Sequence, residues 1–155
     1  MAAGAIFTIG YEKAKPEDFV AALSRAGVAL VLDVRDKAWS RRPDYIGKRL
    51  AARLEAAGIA YRWLPELGTP EAGRIAAKAG DMAGWRRSLD ARLAGTEGQA
   101  ALAGAAALAA ERPAALMCLE ADPARCHRSV VADRLSALTG LPVAHLRSIV
   151  VLKLL

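Results

Sequence analysis

Val28-Ala29-Leu30-Val31-Leu32-Asp33-Val34-Arg35 is the stretch whose reading decides the fold. It is aliphatic almost throughout, and polarity begins only at Asp33 and Arg35. A strand with one wet face alternates apolar and polar residues, whereas a parallel strand covered on both faces reads as a nearly unbroken apolar run. Upstream, Ala5–Ile9 reads as a first strand stopped by Gly10. Pro16 suits the first position of a helix, Phe19, Val20, Leu23 and Ala26 keep helical spacing, and Gly27 ends it.

The alternation continues downstream. Ile46, Leu50, Leu54 and Ala57 mark a second helix closed by Gly58, and Ile59–Leu64 a third strand broken by Pro65. Helices are expected near Glu71–Lys78, Met82–Leu93 and Gly98–Glu111. Ala114–Leu119 reads as a fourth strand. Asp122-Pro123 reads as a helix start, with Asp as cap and Pro in first place. That helix runs to about Leu138, with Val131, Leu135 and Leu138 as its core stripe and His127 one turn before them. Pro142–Leu146 is a fifth strand, and Ile149–Leu155 a last strand or a docked tail. Strands alternating with helices predict one α/β domain over residues 1–155. Its expected form is a three-layer sandwich around a mainly parallel, Rossmann-like sheet of about five strands.

The 155 residues suit a single core, and 54% apolar with 25% charged content is globular rather than disordered. A net charge of +6 favours anionic partners. The basic residues are scattered rather than gathered in one run, so nucleic acid is the less favoured of them. Two Cys and two His fall short of a four-ligand structural zinc site unless carboxylates or a second chain help. No metal and no cofactor is therefore expected, and no dinucleotide-binding glycine fingerprint is present. There is no signal pattern after Met1 and no apolar stretch of membrane-spanning length, so a cytoplasmic protein is expected. The apolar tail Ile149–Leu155 could serve as an edge that pairs two subunits as a homodimer.

In open parallel sheets ligands bind beyond the carboxyl ends of the strands. The residues expected there are Tyr11, Asp33, Arg35, Glu66, Cys118, Glu120, His127 and Arg128. A helix start supplies free N–H groups and partial positive charge, and an Arg can grip a carboxylate or phosphate with two bonds. Together they suggest anion binding by Arg35 and Arg128 beside an acid/base pair of Glu120 and His127. Each residue has a plainer reading. His127 could be a hydrogen-bonded core residue, and Cys118 and Cys126 could simply pack. Glu120 could pair with Arg128, Asp33 with Arg35, and Glu66 with an Arg of the rim. Arg41 and Arg42 could be a solvated loop or a phosphate clamp, and Tyr11 a wall of the pocket.

Thr8-Ile9-Gly10-Tyr11, Asp33-Val34-Arg35, Arg41-Arg42-Pro43, Leu64-Pro65-Glu66-Leu67-Gly68 and Cys118-Leu119-Glu120 with Cys126-His127-Arg128 resemble, in order and spacing, the domain of unknown function family 488. The resemblance spans nearly the whole chain and implies the α/β fold and the clustering of these motifs. It implies no defined activity. The family usually carries His where this chain has Tyr11, so hydrogen bonding or stacking is the role left there.

Two other chemistries are near at hand. A Cys-dependent phosphatase needs an Arg spaced to close on the same phosphate as the Cys. That spacing from Cys118 lands on Ala124, one short of Arg125, and the loop lacks glycine. A rhodanese-like sulfurtransferase is a closer echo, with Leu32-Asp33-Val34-Arg35 as its strand and Cys118 as sulfur carrier. Its loop would here carry Glu120 and Asp122, which disfavour a thiolate. The leading expectation is an enzyme that hydrolyses or transfers a group of a small anionic, nucleotide-like substrate. A binding module for nucleotide or nucleic acid and thiol chemistry at Cys118 are the alternatives.

Overall fold

A computed structural model describes residues 4–149. Five parallel strands form one sheet in the order β3-β2-β4-β1-β5. They are β1 (Ile6–Gly10), β2 (Leu30–Asp33), β3 (Ala60–Trp63), β4 (Ala114–Cys118) and β5 (Val143–His145). Six α-helices occur among the described residues: α1 (Pro16–Arg25), α2 (Gly47–Ala56), α3 (Glu71–Lys78), α4 (Met82–Ala94), α5 (Thr96–Glu111) and α6 (His127–Thr139). The chain is thus the expected α/β sandwich. Past Ile149, the apolar tail lies outside the described residues.

The strand pleat sorts the core into two layers. Ile9, Val31, Ala115 and Met117 point to one face, where Phe19 and Leu23 of α1 and Leu50 and Leu54 of α2 cover them. Ile6, Leu30, Leu32 and Leu116 point to the other, against Leu89 and Leu93 of α4, Leu102 and Ala105 of α5, and Val131 and Leu135 of α6. Every residue of β2 is buried, as its aliphatic run requires. Leu138, expected in the α6 stripe, is exposed.

The connections leave β2 and β4 in opposite directions. From β2 the chain passes through α2 to β3 at one edge, and from β4 through α6 to β5 at the other. Adjacent strands that part in this way leave a crevice at their carboxyl ends. One boundary differs from the sequence reading and bears on that crevice. Asp122-Pro123 opens only a short 3-10 turn, Pro123–Arg125, with Asp122 accepting the Ala124 N–H. The α-helix starts at His127, capped by Cys126, whose sulfur accepts the Arg128 N–H. The 3-10 turn stands before the helix as a separate element, so it is Cys126 and not Asp122 that meets the helix's free donors.

Candidate functional site

The ends of β2 and β4 build the floor of a cleft of about 550 Å³. Cys118, Glu120 and His127 line it from the β4 side, and Arg35 and Tyr11 from the side of β2 and β1. Two glycines let these loops close up. A Cβ on Gly10 would lie 1.8 Å from the Glu120 carbonyl oxygen, and one on Gly68 2.2 Å from the Asp36 nitrogen. Only a residue without a side chain allows such approaches.

His127 is the hinge of the β4 side. Its Nε2 lies 2.5 Å from the carbonyl oxygen of Val34, just past β2. A carbonyl only accepts, so Nε2 carries the proton and Nδ1 is free to face the sulfurs. Nδ1 stands 3.7 Å from Cys118 Sγ and 3.9 Å from Cys126 Sγ. All three donor atoms lie within 4.8 Å of one another. Both cysteines are free and buried. Composition spoke against a metal; the fold nevertheless gathers a set of three donors able to hold one.

The charges of this cluster are interdependent. A hydrogen bond with Cys126 and then burial push the Cys118 thiol up. Burial opposes ionisation of Cys126, but hydrogen bonds from Cys118 and His127 and the nearby charges of His127 and Arg128 outweigh it, and this thiol is held well below its usual range. Burial likewise opposes charge on His127, yet its bond to Cys126 and the charge there raise the imidazole. The Glu120 carboxyl, half-buried beside this pair, is lifted to about 7, first by burial and then by the negative charge on Cys126. A carboxyl in that range both takes and gives protons near neutrality.

Opposite stands a rigid basic frame. Asp33 is fully buried and accepts from Arg35 through both carboxylate oxygens, at 2.9 and 2.7 Å. Tyr61 donates to the same carboxylate at 2.5 Å. The remaining donor of Arg35 reaches the Tyr45 carbonyl at 2.9 Å and Tyr11 Oη at 3.4 Å. The Tyr11 ring stacks on Tyr45, with centroids 4.3 Å apart. Asp33 with Arg35 is therefore a buried ion pair at the cleft wall, its last donor also shared with the Trp39 carbonyl at 3.3 Å, and Tyr11 acts as a wall with its hydroxyl engaged.

Four further expected residues stand away from the cleft. Arg128 is 0% exposed and donates to the carbonyls of Glu120 and Ala121, at 2.5 and 3.3 Å. Its two terminal nitrogens hold the β4 loop while its buried Nε has no partner among the described residues, so what the structure shows for it is a structural grip in place of the expected one on a ligand. Arg42 donates to the carbonyls of Tyr11 and Ala14 and lies over the Tyr45 ring. Glu66 lines a separate hollow with Arg92 and Glu97. Arg41 is exposed on the loop before Pro43 and is not among the residues lining the cleft.

The rim holds residues that sequence reading passed over. Lys37, Lys78 and Arg125 bring positive charge, and Trp39, Trp85 and Met82 bring broad apolar surface. Trp39 is 62% exposed, far more than a packing role requires. No motif marked these residues, because α3 and α4 reach the cleft only through tertiary packing. Arg74 also lines it, paired at 2.5 Å with Asp36.

No helix among the described residues is long and apolar enough to cross a membrane. Comparison with curated proteins and with solved structures finds no match. The family model described as "Domain of unknown function DUF488" matches residues 15–135, which include Asp33, Arg35, Cys118, Glu120, Cys126 and His127. The chain belongs to that family.

Proposed function

We propose that the protein is an enzyme of hydrolysis or group transfer acting on a small, anionic, nucleotide-like substrate, with Glu120 as general acid/base. The observation that carries this reading is the composition of one cleft: a carboxyl on the floor, cations on the rim and exposed tryptophan beside them. Cations suit a phosphate or carboxylate, and an exposed indole face suits a planar base, since every nucleobase offers a π-face for stacking. In hydrolysis, water adds to the scissile centre and Glu120 takes its proton. The bond to the leaving group breaks, and that proton passes to the departing atom. Lys37, Lys78 and Arg125 attract and orient the anion from the rim, and the Asp33–Arg35 pair holds the wall behind it in place.

Thiol chemistry has less support. Cys126, the sulfur that geometry makes acidic, is 2% exposed behind the cleft wall. Cys118, the sulfur a substrate would meet, is held as the thiol.

The test is a screen of nucleoside monophosphates and phosphorylated sugars for turnover, and for stabilisation in a thermal shift assay, with wild type and Glu120→Gln. The reading expects at least one ligand to bind both proteins and to be consumed only by the wild type. Full turnover by Glu120→Gln, or no binding by any member, would overturn it.

A further inference from the structure

We infer that Cys118 Sγ, Cys126 Sγ and His127 Nδ1 form a binding site for one divalent transition ion of zinc chemistry, with its fourth position open to the cleft. The inference deepens the proposed reading of this cleft, and it stands on ligand geometry.

Distance is the first ground. Tetrahedral zinc with Zn–S of about 2.3 Å and Zn–N of about 2.0–2.1 Å sets sulfur and nitrogen about 3.6 Å apart. The two separations here are 3.7 and 3.9 Å. For both sulfur–nitrogen pairs, closing to the ion takes shifts of a few tenths of an ångström; the two sulfurs lie within 4.8 Å of each other and need a spacing of about 3.8 Å on one zinc.

Orientation is the second. A histidine that ligates metal ordinarily donates its other ring N–H to a carbonyl or carboxylate, which fixes its tautomer and rotation. Val34 does this for His127, leaving Nδ1 as the nitrogen that faces the two sulfurs and gives up its proton to an incoming ion. A core histidine packed for stability alone has no use for two cysteines at that one nitrogen. The donors also come from separately anchored places: Cys118 ends β4, Cys126 caps α6, and His127 is the first residue of α6. The site is thus assembled by the fold before any ion arrives.

Charge and access agree. Two thiolates neutralise a divalent ion, so the loaded site buries no net charge, and no further ligand is needed for neutrality. Three protein ligands with a fourth position open is the arrangement of catalytic rather than structural zinc, where water or substrate takes that position. Cys118 and His127 both line the cleft, as does Glu120 two residues past Cys118. The fourth position would thus face the same space as the carboxyl proposed to move protons. The second histidine takes no part, since His145 is hydrogen-bonded to Thr8 at the end of β5.

The probe is Co²⁺, added to the full chain after chelator treatment, under reducing and oxygen-free conditions. The sequence holds only two cysteines, so any thiolate-to-cobalt charge-transfer band reports this site. The expected result is such a band saturating at one ion per chain, with the visible absorption of a tetrahedral site, and its loss when Zn²⁺ is added. Cys118→Ser and Cys126→Ser are expected to weaken binding at least tenfold, and Glu120→Gln to keep the band. Since both cysteines are buried and their variants can misfold, protection from alkylation is measured on the wild type as well: Zn²⁺ should slow modification of both thiols. A folded wild type that gives no charge-transfer band overturns the inference. So does equal alkylation with and without Zn²⁺. Neither result touches the proposed function, which falls only if Glu120→Gln turns over substrate normally or no anionic ligand binds.

Discussion

His127 on α6 donates its Nε2 proton to the carbonyl of Val34 at 2.5 Å, tying the start of the last long helix to the end of β2. The two residues are far apart in sequence, and their bond spans the crevice at which the chain parts in opposite directions. Val34 is fully buried, so its carbonyl loses its one side-chain partner in the folded protein if the imidazole is removed. His127→Ala should therefore cost about 1–3 kcal/mol of stability from the orphaned carbonyl alone. Urea unfolding checks this, and a loss below about 0.5 kcal/mol would mean that the bond contributes little.

Arg128 should prove structural. Lys in its place keeps the charge but cannot span the carbonyls of Glu120 and Ala121 in a fork. Arg128→Lys is expected to destabilise by about 1–3 kcal/mol, the worth of a buried charge-assisted hydrogen bond. Comparing urea midpoints of variant and wild type measures it. An unchanged midpoint would mean that Arg128 does not hold the loop and is free to bind a ligand.

Gly10→Ala is a probe of the close approach beneath the site. The new methyl would sit 1.8 Å from the Glu120 oxygen, so the β4 loop must move. Overpacking of this kind costs about 1–3 kcal/mol. It should also displace Glu120 and so reduce turnover more than ligand affinity. Steady-state kinetics on whichever substrate the screen yields would show kcat falling with KM little changed; the reverse pattern would place the damage elsewhere.

Trp39 is the expected stacking surface. Removing one base–aromatic stack costs about 1–3 kcal/mol, so Trp39→Ala should weaken nucleotide binding by roughly 5- to 150-fold. Because Trp39 is exposed, the same substitution should leave thermal stability nearly unchanged. Isothermal titration together with a melting curve separates the two effects.

Asp36 gives the structure an acid-sensitive tie. Burial works against its charge, but hydrogen bonds from Arg92 and Arg74 prevail and hold the carboxyl below its usual 3.8. A carboxyl whose folded value is depressed contributes stability that is complete above the unfolded value and is lost as pH falls through the folded one. Wild type should thus exceed Asp36→Asn in stability by a constant amount above about pH 5. The gap should narrow as pH drops below 3.8. Denaturation series across pH test this, and a gap that widens in acid would contradict it.

The architecture was legible in the sequence because its signals are local. The run from Val28 to Val34 could be little other than a doubly covered strand, and it is buried at every residue of β2. Pro16, Gly27 and Gly58 marked helix ends through backbone constraints that act within a few residues. The clustering of Cys118, Glu120 and His127 with Arg35 followed once the sheet was parallel, since carboxyl ends then share one edge. The start of α6 was misplaced because Asp122-Pro123 satisfies the local rules for a cap, and the 3-10 turn it opens obeys the same rules.

What the sequence by itself determined, then, is the sheet, its helices and the edge where chemistry collects. The tertiary structure alone decided which polar groups face the cleft and which hold the scaffold. An arginine is the same letter whether its fork meets solvent, as a free cation, or two backbone carbonyls, as Arg128 does. Which nitrogen of a histidine faces a cluster depends on which carbonyl binds the other, and for His127 that carbonyl belongs to Val34. Orientation and desolvation are set by neighbours distant in sequence, so no pattern of adjacent residues records them.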